Sequence, residues 1–154
     1  MVRAPEKALK CCMTAPDKAA VLFYISTDID VAIAVSNIRR LELLADFPPA
    51  VCSLLATVVS ELANNILKYA QRGTIQLIRL EAPTRYGVEI MASDVGPGIP
   101  DLAMAMRDHY STGGTLGLGL PGVRRMMDEF QIWSAPNQGA RVTTRKWHLR
   151  HLEI

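Results

Sequence analysis

Cysteine is scarce in this chain of 154 residues: only Cys11, Cys12 and Cys52 occur, with no CxxC pair. That excludes a disulfide scaffold and a thiolate metal site of the usual spacing. Neighbouring Cys11 and Cys12 cannot easily bridge each other, which suggests a reducing, cytoplasmic setting, and no recognisable lipidation signal accompanies them. Cys52 reads as a small buried hydrophobe. Net charge is also scarce. Seventeen Lys and Arg against fifteen Asp and Glu leave a formal +2, too little to imply nucleic acid as a partner. Long apolar runs are missing: the longest, such as AAVLFYI, fall far short of the roughly 20 residues of a membrane span. The opening MVRAPEKALKCCMTAPDKAA carries basic residues but no apolar centre, so it does not read as a secretory signal. We expect residues 1–18 to form a flexible extension ahead of one domain, 19–154. No GKS or GKT occurs, which excludes a P-loop, and no internal repeat is visible.

Against these absences stands an apolar content of 49% with 21% charged residues, the balance of a soluble globular protein. A chain of this length buries roughly two thirds of its unfolded surface. VLFYISTD predicts a strand over 21–27. Ser26, Asp28 and Asp30 then offer N-caps for a helix from about Asp30 to Ala45, broken by Pro48 and Pro49. From Ala50 to Tyr69, Leu54, Leu55, Val58, Leu62, Ile66 and Leu67 recur at helical period, and Gly73 ends the following turn. TIQLIRLE (74–81) and YGVEIMAS (86–93) read as a hairpin across a short link. Pro121 to Phe130 predicts a helix. FQIWSAP and ARVTTRKWHL, separated by Asn-Gln-Gly, form a second hairpin. The sum is an α/β two-layer sandwich: a mixed, mostly antiparallel sheet with helices on one face. The tail RKWHLRHLEI is basic and reads either as a solvated edge strand or as a docking surface.

Glycine is concentrated where chemistry is expected. Seven of the ten lie between Asp94 and Gly122, six of them in the loops DVGPG and GGTLGLG, the second running into a helical pattern that holds Gly122. A Gly-rich loop feeding a helix N-terminus presents unpaired N–H groups to an anion such as phosphate. The same composition would also suit a flexible lid with no ligand. A Rossmann reading fails on order, because its glycines should follow the first strand. On the preceding helix Glu61, Asn65 and Lys68 fall at i, i+4 and i+7 and share one face. Beside a polyphosphate, an asparagine oxygen can ligate Mg²⁺ and a carboxylate can accept a proton from an attacking hydroxyl. Lysine there either pairs with phosphate or covers the helix end.

ELANNILKYA (61–70), DVGPGIP (94–100) and STGGTLGLGLPGVRRMMDEF (111–130) resemble, in order, the N, G1 and G2 boxes of the GHKL ATPases and kinases. Over roughly residues 20–148 the chain is most similar to the small serine/threonine kinases of bacterial partner switching, above all the RsbT-type switch kinases, relatives of the RsbW- and SpoIIAB-type anti-sigma factors. The resemblance implies a Bergerat-type fold and Mg²⁺-ATP as cofactor. It implies Glu61 as general base, Asn65 as the Mg²⁺ ligand, and Asp94 as acceptor of the adenine amino group. Gly96 and Gly98 would let the chain pass close to base and ribose. Gly113, Gly114, Thr115, Gly117, Leu118 and Gly119 would wrap the phosphates, with Ser111 and Thr112 in the lid and Lys68 in a slot usually basic. The implied function is phosphorylation of a small STAS-domain antagonist, with a PP2C-type phosphatase or a sigma factor as a further partner. The alternative is a nucleotide-binding, anti-sigma-type module that sequesters its partner with little turnover. Two positions depart from the family pattern: Thr115 occupies a usual glycine, and Ala140 stands where threonine is common.

Overall fold

The structure, a computed structural model, describes residues 20–107 and 119–151. Five strands form one sheet: β1 (Ala20–Ile25), β2 (Gly73–Glu81), β3 (Arg85–Asp94), β4 (Glu129–Ala135) and β5 (Gly139–Leu149). They lie in the order β1-β2-β3-β5-β4, and each pairing among the described residues is antiparallel. Both expected hairpins are present. The helices α1 (Asp28–Asn37) and α2 (Pro49–Ala70) follow β1, and the shorter α3 (Leu102–Ala105) and α4 (Gly119–Met126) follow β3.

Strand alternation sorts the sheet into two faces. One carries the cross-strand rows Phe23–Ile75–Ala92–Val142–Ile132 and Val21–Leu77–Ile90–Thr144–Phe130. The apolar stripe of α2, through Cys52, Leu55, Val59, Leu62 and Ile66, is buried in the same core. Length and composition alone would let α2 cross a bilayer. Its stripe is instead covered by the sheet, and Glu61, Asn64, Asn65 and Lys68 interrupt its other side. Thr144 is the single buried polar side chain among the described residues, and its Oγ1 donates to the Ile90 carbonyl at 3.4 Å.

Several predicted boundaries move. The first helix begins at Asp28 with Thr27 as N-cap, and Asp30 supplies the reciprocal half of a capping box. It stops at Asn37 instead of Ala45, giving way to short 3₁₀ turns at Ile38–Arg40 and Glu42–Leu44. Val31, Ala34 and Ile38 share a helical face, but Leu43 would point away from it. The chain turns at extended Leu41, so that Leu43 and Leu44 are buried as well. The ending of α2 falls to Gln71, which takes the left-handed conformation at φ 66°, while Gly73 is already the first residue of β2. A Cβ on Gly73 would collide with the Ser93 carbonyl oxygen, so this glycine serves close approach of strands. The helix α4 ends at Met126, and Phe130 belongs to β4. Asp128 makes that turn, accepting from the Trp147 N–H at 2.7 Å and the Lys146 ammonium at 3.1 Å. The basic tail is an edge only in part: β5 is flanked by β3 and β4 as far as Arg145, which pairs with Glu89 and Glu129, whereas Lys146 to Leu149 pair with β3 alone. The expected extension of residues 1–18 lies outside the described residues.

Candidate nucleotide site

The second helix, α2, and the loop after β3 meet at one end of the sheet. Asn65, Ile66 and Tyr69 of α2 face Asp94, Gly98 and Ile99 across a cavity of about 30 Å³, whose remaining walls are Leu62, Ala92, Leu120, Ala140 and Val142. The walls are apolar, and the polar side chains reaching the cavity are Asn65, Tyr69 and Asp94, the usual proportion for a site that orients a flat organic ring.

Asp94 is held rigidly. Its Oδ1 accepts from Gly96 N at 2.9 Å and from Ala140 N at 3.2 Å, while Oδ2 has no hydrogen-bond partner among the described residues. A carboxylate clamped by one oxygen and open at the other suits an exocyclic amine. The loop itself is tied to the second hairpin at three points: Ala140 N on Asp94, Ile99 N donating to Ser134 Oγ at 2.7 Å, and Asn137 N donating to the Pro97 carbonyl at 2.9 Å. Gly98 at φ 84° and Gly139 at φ 88° make these approaches possible; a Cβ on Gly139 would overlap the Asp94 carbonyl oxygen. Gly96 rests on Ala70, where a Cβ would come within 2.6 Å of the alanine Cβ.

On α2 the two asparagines divide. Asn64 is exposed and donates back to the Ser60 carbonyl at 2.9 Å. Asn65 reaches the cavity with no hydrogen bond among the described residues, so its amide oxygen is available. No group of three His, Cys, Asp or Glu capable of holding a metal exists among those residues. A hard cation here would therefore need Asn65 together with phosphate and water oxygens, a set that suits Mg²⁺. Glu61 is half-buried, and its Oε2 accepts from Gly119 N, the first residue of α4, at 3.1 Å. The expected carboxylate is thus already at the helix N-terminus where phosphate is expected.

Lys68 does not join the group. It is exposed, absent from the cavity wall, and sits 5.1 Å from the centre of the Tyr69 ring. Ser111, Thr112, Gly113, Gly114, Thr115, Gly117 and Leu118 lie outside the described residues. Ser134, Asn137 and Tyr69 escaped the sequence reading, and Ala140 entered it only as a departure from the family pattern. Asn-Gln-Gly announced a turn, but nothing local announced that the turn grips a loop some forty residues earlier. Ala140 supplies a backbone donor to Asp94.

Comparison with known proteins identifies the family. The model of the histidine kinase-, DNA gyrase B- and HSP90-like ATPases matches residues 51–150. The serine/threonine-protein kinase RsbT of Bacillus subtilis (strain 168) is 39% identical over 123 residues, covering 80% of this chain and 92% of that protein. Among solved structures, the mycobacterial sensor histidine kinase MprB superposes with a TM-score of 0.48 at 15% identity, over 84% of this chain and 97% of that one. The catalytic domain of histidine kinase ThkA gives 0.46 at 15% identity, over 82% and 97%.

Proposed function

The chain belongs to the histidine kinase-, DNA gyrase B- and HSP90-like ATPases, and within them to the RsbT-like serine/threonine kinases, and from that membership we propose that it phosphorylates a small STAS-domain antagonist in the cytoplasm as a partner switch. The observation that carries the reading is the clamped Asp94 carboxylate facing Asn65 across an apolar cavity, with Glu61 at the start of α4. Mg²⁺-ATP, when bound, supplies the transferable phosphoryl group and a cation that neutralises its charge. Asp94 Oδ2 accepts from the adenine amine, and Gly96 and Gly98, by letting the loop close on Ala70 and on the second hairpin, shape the site for base and ribose. The Asn65 amide oxygen holds the cation. The N–H groups opening α4 receive phosphate oxygens, with Ser111, Thr112, Gly113, Gly114, Thr115, Gly117 and Leu118 assigned to lid and phosphate loop, and Lys68 assigned no more than long-range attraction.

Glu61 takes the proton of the incoming serine or threonine hydroxyl as the new P–O bond forms and the bond to ADP breaks. For that, the carboxylate exchanges its Gly119 N–H for the hydroxyl, freeing the N–H for phosphate. One rearrangement therefore prepares both the base and the anion site. Phosphorylation of the antagonist would release the kinase to a second partner, a PP2C-type phosphatase or a sigma factor.

Glu61→Gln keeps the acceptor for Gly119 N but removes the base. With labelled ATP and the cognate STAS-domain protein, we expect transfer to fall about a hundredfold or more, with ATP affinity changed little. Undiminished transfer would remove Glu61 from the role. Absence of transfer by the wild type would replace the kinase reading with a nucleotide-holding module that sequesters its partner.

A further inference from the structure

The sheet face turned away from the helices carries a groove of about 560 Å³ at the same end of the molecule as the nucleotide cavity. One cross-strand row floors it through all five strands: Tyr24, Thr74, Ser93, Arg141 and Trp133. Tyr24 is 73% exposed and Trp133 51%, and Val95, on the rim, is 82% exposed. Tyrosine, tryptophan and arginine are the residue types that dominate binding energy at protein interfaces.

Its charge is uncompensated. Elsewhere on the sheet Arg79 pairs with Asp46 and Glu81, Arg145 with Glu89 and Glu129, Lys146 with Asp128, and Arg150 with Glu81. In the groove Arg72 and Arg141 carry no hydrogen bond or ion pair among the described residues. The only carboxylate in its wall, Asp94, has Oδ1 committed to Gly96 and Ala140, and strand alternation turns its side chain to the other face. Two unpaired guanidinium groups between aromatic anchors call for carboxylates flanked by apolar side chains. Two cations on a chain of formal charge +2 are too few for a nucleic-acid backbone, whose affinity grows with each phosphate neutralised. An isologous contact with a second copy would crowd like charges.

We propose that this groove docks an acidic, leucine- or valine-containing segment of the protein that receives the phosphoryl group. That the partner is the phosphoacceptor rests on the kinase reading; the groove's preference for an acidic segment does not. The Asp94–Val95 turn separates groove from cavity, so the docked segment leaves the nucleotide side free and the two can be occupied together.

The test begins with peptides and needs no phosphotransfer. A short glutamate-rich peptide with two leucines, titrated while tryptophan fluorescence is followed, should bind saturably and weaken with salt. Arg72→Glu/Arg141→Glu should weaken it about tenfold or more, Arg72→Lys/Arg141→Lys should restore most of the loss, and binding of a fluorescent ATP analogue should stay at the wild-type value. With a dye-labelled peptide, Trp133→Ala should also lose affinity. The proposal falls if the peptide does not saturate, if a lysine-rich counterpart binds equally, if a short oligonucleotide binds tighter, or if Trp133→Ala keeps full affinity. It falls as well if sedimentation shows self-association that the charge reversal abolishes. Where the wild type phosphorylates its STAS-domain partner, the charge reversal should raise the KM for that protein about tenfold and spare kcat; an unchanged KM overturns the docking role. If the wild type transfers nothing, the kinase reading fails and the peptide titration still decides the groove.

Discussion

Asp94 is the residue on which both faces of the molecule depend. Two backbone N–H groups fix its Oδ1, and neither bond requires a negative charge, since an amide oxygen could accept both. Asp94→Asn should therefore leave the loop and the melting temperature nearly unchanged while presenting an N–H donor, or a weaker acceptor, to the adenine amine. A hydrogen bond to a charged group contributes roughly 1.5–3 kcal/mol, so we expect ATP affinity to fall about ten- to a hundredfold by calorimetry. An unchanged affinity with native circular dichroism would show that the purine is held elsewhere. That Glu61 and Asn65 share one face of α2 was legible because a helix repeats its face every three to four residues. Lys68 had the same spacing argument, yet it is exposed and does not line the cavity, whose wall includes Tyr69.

At the scale of elements, the short turns between α1 and α2 are anchored to β2 by one cluster. Arg79 donates to Asp46 at 2.5 Å and to the Leu43 carbonyl at 3.0 Å, and packs against both the Phe47 and the Tyr86 rings, which touch each other edge-on. The hydrogen-bonded Arg79 guanidinium holds the Asp46 carboxyl below its ordinary value of 3.8. A carboxyl whose pKa is lower in the folded state adds stability above its unfolded pKa, and loses it as pH falls through the folded one. The Asp46 side chain is 56% exposed, so solvent screening keeps the contribution small. Comparing wild type with Asp46→Asn in urea, the stability gap present near neutrality should close as pH is taken below about 4. A gap constant with pH would mean that packing, not ionisation, sets the difference. None of this cluster could be read locally, because Arg79 and Asp46 lie 33 residues apart. The same long-range demand ended α1 early: burial of Leu43 and Leu44 outweighed a helical continuation of acceptable propensity.

For the molecule as a whole, α2 divides its length between stability and function. Its middle fills the core, and its last turns carry Glu61 and Asn65. Leu55 is fully buried and absent from the cavity wall, so Leu55→Ala should cost about 2–5 kcal/mol in urea unfolding and leave the ATP dissociation constant of the folded protein unchanged. A parallel loss of affinity would show that the core and the site do not separate along the helix. What the sequence determined by itself was everything that repeats or clusters within a few residues: the strand alternation, the helical stripe of α2, the glycine loops, and three ordered boxes sufficient to name the family. Steric and hydrogen-bonding preferences of that range are written in neighbouring residues, and they survive without knowledge of the fold. Only the tertiary structure decided where helices stop, that β5 is interior as far as Arg145, that the second hairpin grips the Asp94 loop through Ser134, Asn137 and Ala140, and that the side chains of Arg72 and Arg141 have no partner among the described residues. Those outcomes depend on which distant groups come within about 3 Å of each other, and that distance exists only once the sheet has closed its register.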